Sequence, residues 1–294
     1  MKIHHLNCIS SCPLGGHLMD GVSPSSLQRG HLCNHTLLIE TSRSLILVDT
    51  GFGLRDVQDP ESRLSGFFLK MLKPEFRESL TAIRQIEALG FQASDVRDII
   101  LTHLDFDHAG GLDDFPEARV HMLDAEKRYA EMQKTWLDRQ RFRPQQWNFK
   151  QNWITYPSAS AGENFFGFQK VKVIEDLSED IALIPLIGHT WGHAGVAIKN
   201  GHHWVLNAGD AYFYRDEMDF ANPWCTPGLE FYQTMMEKSR PQRLENQQRL
   251  RDLKKANSSI DIFCSHDPIE FELRESKRLI QEAPRLSVNP FDLI

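Results

Sequence analysis

The chain has 294 residues, a formal net charge of -7 and a hydrophobic content of 41%. That length suits one large α/β domain or two small ones, and that hydrophobic content supports a substantial core. The negative charge argues against a nucleic-acid partner, because phosphate binding usually shows as a basic excess or a basic stripe. The sequence also has no run of membrane-spanning length, no apolar signal-peptide core and only five scattered cysteines. We therefore expect a soluble, cytoplasmic protein with no membrane partner.

The first part of the chain is predicted to form strands and one helix. Residues 36–40 and 44–48 are mostly apolar, and the polar residues between them suit a turn that pairs two strands. In residues 77–89 an apolar side chain recurs about every three residues, which predicts a helix, and Gly90 can supply its left-handed end. The apolar run 99–101 then predicts another strand.

The residues after this strand are dense in potential metal ligands. Residues 102–111 read Thr-His-Leu-Asp-Phe-Asp-His-Ala-Gly-Gly, so four potential ligands lie within six residues: His103, Asp105, Asp107 and His108. In an extended segment alternate side chains point to one side, so Asp107 and His108 need a turn to converge. Four such groups facing one cavity would repel each other or stay unsatisfied without a cation. This loop therefore predicts a metal site.

The rest of the chain is predicted to mix strands and helices. Strands are predicted at 120–123, 171–174, 181–186, 203–208 and 260–264. Helices are predicted at 125–139, 228–238, 241–256 and 270–281. Three of the strands lead to further candidate ligands, which are His189, Asp210 and His266. Because each candidate lies just past an apolar run, we expect all seven at one edge of a sheet structure.

The composition of this set favours two divalent ions. Three carboxylates with four imidazoles suit a pair of ions better than one, and they fit zinc, iron or manganese. No cysteine belongs to the set, so a soft all-sulfur site is disfavoured.

The same residues resemble the motifs of the metallo-β-lactamase superfamily. Residues 103–108 resemble its HxHxDH signature, and residues 188–193 resemble its GHTxGH segment. Asp210 and His266 stand where that family has a bridging Asp and a final His, and residues 45–51 resemble its early strand with an Asp-Thr-Gly turn. The resemblance implies an α/β fold, an αββα sandwich of two mixed sheets flanked by helices. We expect the whole chain, residues 1–294, to be a single domain of this type.

The resemblance also implies a role for each ligand. His103, Asp105 and His189 would hold a first metal ion, and Asp107, His108 and His266 a second, with Asp210 bridging the two. Zinc is the metal that the family implies first. The second signature position is usually His and here is Asp105, a harder ligand that makes iron or manganese alternatives.

Several acidic and imidazole groups beside these ligands have predicted roles as well. Asp107 and Asp210 are the candidate catalytic residues, with Asp107 as the proton shuttle. His193 is expected to support its loop by hydrogen bonding. Asp49 is either an acceptor for a ligand imidazole or a residue that only forms the Asp-Thr-Gly turn.

The branch of the family that the motifs resemble holds acyl-homoserine lactonases and glyoxalase II-type thioesterases. This implies a dinuclear hydrolase that acts on a small ester, lactone or thioester through a metal-bridging hydroxide. In the lactonases a Tyr three residues after the bridging Asp helps to bind the substrate carbonyl, whereas here Phe213 takes that place between Tyr212 and Tyr214. A strand-like backbone would send both tyrosines to the face opposite Phe213.

Two other functions stay open from the sequence. Asp105 motivates a diiron oxidoreductase of the same fold, and a retained metal site could also serve a non-catalytic sensor. The expected partner is a small-molecule substrate, and a homodimer is one oligomeric state consistent with the sequence.

Two stretches exceed the minimal core of such a fold. They are residues 62–76 and residues 136–168, and the second combines many aromatics with Arg139, Arg141 and Arg143. This composition is typical of a lid, a substrate wall or a dimer contact. Ordinary packing of an insertion against the sandwich is the alternative.

Overall fold

Two facing β-sheets form the centre of the computed structural model, which describes residues 1–149, 152–157, 164–174 and 180–282. The first sheet has six strands in chain order. These are β1 (Lys2–Asn7), β2 (His35–Glu40), β3 (Leu45–Val48), β4 (Val96–Ile100), β5 (Arg119–Leu123) and β6 (Trp153–Tyr156). The pairs β1–β2 and β2–β3 are antiparallel, and the pairs from β3 to β6 are parallel, so the sheet is mixed.

The second sheet is formed by the later part of the chain, after a two-stranded hairpin of β7 (Asn164–Phe165) and β8 (Phe168–Gln169). Its strands are β9 (Val171–Lys172), β10 (Ile181–Pro185), β11 (Ala194–Asn200), β12 (His203–Asn207) and β13 (Ile260–Phe263). The order across this sheet is β13, β12, β11, β10, β9. Only β12 and β13 run parallel among its paired strands in the described ranges, so this sheet is mixed too.

Helices lie outside both sheets. They are α1 (His17–Asp20), α2 (Leu54–Gln58), α3 (Pro60–Arg63), α4 (Gly66–Leu72), α5 (Ala82–Ala88), α6 (Asp124–Met132), α7 (Trp136–Arg141), α8 (Pro144–Trp147), α9 (Pro227–Met236), α10 (Arg240–Ala256) and α11 (Pro268–Glu282). None of the helices in the described part of the chain is long and apolar enough to cross a membrane.

Alternation of apolar side chains along the strands explains the layering. In β2, Leu37 and Ile39 belong to the buried cluster between the sheets, whereas Leu38 belongs to the cluster under the outer helices. In β10, Leu183 faces the first sheet and Ile184 faces outward in the same way. Because successive strand residues point to opposite faces, strands that are apolar at every position are covered on both sides. The predicted αββα sandwich is confirmed.

Two predicted helices have different limits in the structure. The segment predicted as one helix over 125–139 is two helices, because Gln133 adopts a left-handed conformation with φ 42° that ends α6. Thr135 then caps α7 by accepting a hydrogen bond from the Asp138 N–H at 3.0 Å. The segment predicted over 77–89 begins with a short 3-10 turn and becomes α-helical only at Ala82.

The aromatic stretches are largely part of the core. Phe68 of α4 packs on Phe106 of the ligand-rich loop, with ring centroids 4.6 Å apart. In the second stretch, Phe142 and Trp147 are buried in the cluster that covers the first sheet. Strand β6 also belongs to that stretch and pairs with β5. The packing interpretation therefore holds for these residues, whereas Trp136, Phe149 and Phe166 are exposed. Residues 150–151 and 158–163 lie outside the described residues.

Candidate metal centre

The candidate ligands meet at one edge of the two sheets. They form two buried groups, and within each group the potential ligand atoms lie within 4.8 Å of one another. The first group is His103, Asp105, His189 and Asp210, and the second is Asp107, His108 and His266. The predicted turn is present in the loop after β4, where the His108 N–H donates to the Asp105 carbonyl at 3.0 Å. The structure thus brings together all seven residues that the sequence singled out.

Asp49 holds the start of this loop and orients one imidazole. Its carboxylate accepts hydrogen bonds from the Thr102 N–H and hydroxyl, both at 2.8 Å, and contacts His108 Nδ1 at 2.9 Å. The Nδ1 contact directs Nε2 of His108 toward the other residues of the second group. Asp49 is also in the turn, with a left-handed φ of 58°. Both roles considered from the sequence therefore apply.

Two further imidazoles are oriented through their Nδ1 atoms. Nδ1 of His103 lies 2.9 Å from the Thr102 hydroxyl, and Nδ1 of His266 lies 2.9 Å from the Cys33 carbonyl oxygen. A carbonyl oxygen only accepts, so His266 carries a proton on Nδ1, and its Nε2 is the atom that faces the second group. The Nε2 atoms of His266 and His108 lie 3.4 Å apart. Two imidazole nitrogens at this distance must share a proton or a metal ion.

Electrostatics in the second group points the same way. Asp210 Oδ1 lies 3.2 Å from His266 Nε2 and 3.4 Å from His108 Nε2. Burial lowers the pKa of His108, but Asp210 and Asp49 raise it by more, so the net pKa is well above its ordinary value. Among the described residues, Asp210 Oδ1 is a buried atom that makes no well-aligned hydrogen bond. Buried polar atoms are rarely left unpaired, so these residues fit a bound cation.

Asp210 is held in place by His193. The Asp210 N–H donates to His193 Nε2 at 2.9 Å, and His193 Nδ1 donates to the Leu186 carbonyl at 2.9 Å. Gly209 precedes Asp210 with a left-handed φ of 56°, and a Cβ there would lie 2.6 Å from His193 Nε2. This agrees with the supporting role expected of His193.

Glu126 of α6 joins the two loops that carry the first group. Its buried carboxylate accepts hydrogen bonds from the Leu104 N–H at 3.0 Å, the Thr190 hydroxyl at 2.5 Å and the Gly192 N–H at 3.1 Å. Burial raises the pKa of Glu126 to about 7, although the hydrogen bonds from Thr190 and Leu104 oppose this shift.

Sequence comparison assigns this arrangement to a family. The sequence profile of the metallo-β-lactamase superfamily matches residues 33–256. The chain belongs to the metallo-β-lactamase superfamily. A probable metallo-hydrolase of Mycobacterium tuberculosis is 40% identical over 276 residues, which cover 93% of this chain and 82% of that protein. An N-acyl homoserine lactonase of Bacillus cereus is 32% identical over 130 residues, 42% of this chain and 52% of that one.

Solved structures show the same fold. An N-acyl homoserine lactone hydrolase, solved with N-hexanoyl-L-homoserine at its catalytic metal centre, superposes with a TM-score of 0.66 and 21% identity. The match covers 94% of this chain and 95% of that one. Together with the 40% identical relative, these matches identify a metal-dependent hydrolase of the superfamily.

One buried side chain beside the ligands was not among the predicted site residues. Arg141, the last residue of α7, is fully buried beside Asp105. Its Nε donates to Asp105 Oδ1 at 2.6 Å, a second guanidinium nitrogen donates to Asp105 Oδ2, and that nitrogen lies 2.9 Å from His189 Nε2. The sequence contained Arg141 only as part of an arginine-rich stretch. The sequence did offer one signal for Arg141. Asp105 stands at a signature position that usually holds His, and a buried carboxylate needs a cation beside it.

The tyrosines beside Asp210 point away from the metal centre. The Tyr212 hydroxyl lies 3.1 Å from a Glu270 carboxylate oxygen, and the Tyr214 hydroxyl accepts a hydrogen bond from Arg215 at 2.9 Å. Phe213 faces the centre, with its ring stacked on His266 at 5.0 Å. This is the alternation expected from the strand-like backbone.

A different tyrosine, from α9, approaches the centre. The ring of Tyr232 packs edge-on against Phe213 at 5.7 Å, and its side chain is nearly buried. Burial, followed by the charges of Asp107 and Asp105, raises the pKa of Tyr232 well above its ordinary value. Tyr232 lies 22 positions beyond Asp210 in the sequence. Sequence spacing alone gave no signal for it.

Proposed function

We propose that the protein hydrolyses a small ester, lactone or thioester at this centre with the help of a divalent metal ion. The observation that carries the proposal is the pair of Nε2 atoms of His108 and His266, 3.4 Å apart beside Asp210 Oδ1. Asp107, His108, His266 and Asp210 would hold the ion. A bound divalent ion supplies Lewis acidity for a substrate carbonyl and lowers the pKa of water enough to make a nucleophile near neutral pH.

Asp107 is the proposed proton carrier. It is the most exposed of the three carboxylates, at 7% against 2% for Asp105 and 3% for Asp210. We infer that a substrate reaches this carboxylate before the other two. Its backbone carbonyl accepts a hydrogen bond from Asn34 Nδ2 at 2.5 Å, which fixes the loop at this residue. A carboxylate held at this place can receive the proton of the attacking water and deliver it to the leaving oxygen or sulfur.

Tyr232 is the proposed contact for the substrate carbonyl. Phe213 occupies the position where the lactonases carry a tyrosine and offers no hydroxyl. Tyr232 packs against the same Phe213 ring from α9 and brings a phenol to that side of the centre. A neutral phenol at this place can donate a hydrogen bond to a carbonyl oxygen as negative charge develops on it.

The substrate class is supported by the relatives. The M. tuberculosis relative is described as a probable metallo-hydrolase, and the B. cereus relative and the solved structure as lactone hydrolases. The diiron alternative depended on Asp105 as a hard ligand. Because Arg141 engages both oxygens of Asp105, this carboxylate no longer favours iron.

The test is a panel of short-chain esters, acyl-homoserine lactones and acyl thioesters, assayed with protein prepared without metal and reloaded with zinc, manganese or ferrous iron. Hydrolysis of at least one class should appear only on reloading. His266→Ala should abolish it together with metal binding. His121→Asn is the matched control, because His121 is equally buried but pairs with Asp98 at 2.8 Å outside the two groups. Reloaded protein that binds metal and cleaves none of the three classes would refute the proposal.

A further inference from the structure

Arg141 contacts two of the four residues in the first group, Asp105 and His189. The other two are His103, whose Nε2 lies 3.3 Å from Asp105 Oδ2, and Asp210. Its guanidinium binds Asp105 through both carboxylate oxygens, and the nitrogen on Oδ2 also lies 2.9 Å from His189 Nε2. His189 Nε2 in turn lies 3.0 Å from Asp105 Oδ2. The lone pairs of Asp105 and His189 that would face an ion are therefore engaged by N–H groups. A bidentate guanidinium–carboxylate pair is among the strongest polar contacts in proteins.

The position of Arg141 is built into the fold. Asp105 and Phe142 form a β-bridge, so the backbone next to Arg141 is paired with the ligand-rich loop. Phe142 is buried in the main core, and the third guanidinium nitrogen donates to the Met236 carbonyl at the end of α9 at 2.5 Å. Moving the guanidinium away would leave the Met236 carbonyl and the Asp105 carboxylate buried without these partners, which is costly.

We propose that Arg141 takes the place of the first metal ion, so that the protein binds one divalent ion per chain, at the second group with Asp210. This rests on the proposed function only in that the second group binds metal. The three carboxylates that belong to the two ligand groups are then balanced by one divalent ion and one guanidinium. A second divalent ion would have to share Asp105 and His189 with a buried positive charge, and like charges at this distance repel strongly. In place of the two ions that the resemblance implies, the centre would hold one ion in the second group and the Arg141 guanidinium in the first.

The proposal is tested by counting metal ions. Purified protein is stripped with a chelator, dialysed against buffered zinc, and analysed for metal and protein content. Wild-type protein should saturate at one ion per chain. Arg141→Met combined with Asp105→His restores a neutral ligand in place of the ion pair and should raise the count to two. Arg141→Lys keeps a positive charge beside Asp105 and should leave the count at one.

Arg63→Met is the matched control for loss of a buried arginine. Arg63 pairs with Asp56 at 2.9 Å outside both ligand groups. The variant should lose stability without changing the count. A count of two in wild-type protein would overturn the proposal and leave the proposed function standing. A count of zero would overturn both.

A second measurement needs no change at Arg141. In wild-type protein titrated with cobalt(II), the visible absorption should reach its plateau at one equivalent. His266→Ala should remove the signal, because His266 belongs to the second group. His189→Ala should keep it, because in our proposal His189 faces Arg141. Loss of half the bound cobalt in His189→Ala would show a two-ion centre and overturn the proposal.

Discussion

Glu126 offers a direct test of how the fold holds the first ligand group. It accepts hydrogen bonds from the Leu104 N–H, the Thr190 hydroxyl and the Gly192 N–H, which belong to two separate loops. Glu126→Ala leaves all three donors buried without this acceptor. An orphaned buried donor costs ~1–3 kcal/mol, and the lower value applies where water enters the space left by the side chain. We therefore expect a loss of about 3 kcal/mol in the free energy of unfolding, taking ~1 kcal/mol for each donor.

The assay is urea unfolding followed by tryptophan fluorescence at pH 5. Burial raises the pKa of Glu126 to about 7, so at this pH the carboxyl is neutral in the folded protein and the cost of a buried charge does not offset the lost hydrogen bonds. Glu131→Ala on the same helix is the control. Its carboxylate is half-exposed and pairs with Lys127 at i,i+4, which is worth ~0.3–0.5 kcal/mol. A loss below about 1 kcal/mol in Glu126→Ala would show that the three hydrogen bonds do not hold the loops.

Metal content should survive the same substitution. The second half of the ligand-rich loop is fixed elsewhere, by Asn34 on the Asp107 carbonyl and by Asp49 on His108. Metal analysis of Glu126→Ala should therefore match that of the wild-type protein at saturating zinc. A variant that loses its metal would show that the loop moves as one unit.

Three further variants probe single contacts at the centre. Asp49→Asn places an amide opposite Nδ1 of His108, which favours a proton on Nε2. Zinc affinity, measured by competition titration, should therefore fall ~10–100-fold. Unchanged affinity would show that Asp49 does not orient His108 for metal binding. Asp107→Asn should lower kcat at least ~100-fold on the substrate found in the panel, with near-native turnover as the contrary result. Tyr232→Phe removes only the hydroxyl, so it should lower kcat/KM ~10-fold or more and leave the free energy of unfolding unchanged. If kcat/KM is unchanged, Tyr232 contributes packing alone.

The strand ends and the ligands at them could be predicted from the sequence because both signals are local. The apolar run 99–101 stops at polar residues, and β4 does end at Ile100, just before the loop. The runs before Asp210 and His266 behave in the same way, and their strands β12 and β13 lie parallel and adjacent, so their ends meet. Parallel neighbouring strands deliver the residues after them to the same edge of a sheet.

The aromatic stretch could not be interpreted from composition. Phe142 and Phe149 look alike in the sequence, yet the first is fully buried and the second is 40% exposed. The left-handed Gln133 ends α6, and after α7 the backbone of Phe142 pairs with Asp105 of the ligand-rich loop, which buries Phe142. A non-glycine residue in that conformation is uncommon, and apolar periodicity does not announce it.

Asp105 shows how a motif position can mislead when it is interpreted without its neighbours in space. Taken with the signature alone, a carboxylate in place of His indicates a harder ligand and a different metal. Taken with Arg141, 36 residues away, the same carboxylate is half of a buried ion pair. A buried Asp105 without a cation would be strongly destabilising, and so would a buried Arg141 without an anion. Each residue thus compensates the buried charge of the other. A residue at a ligand position indicates a metal site only when the side chains that contact it are known as well.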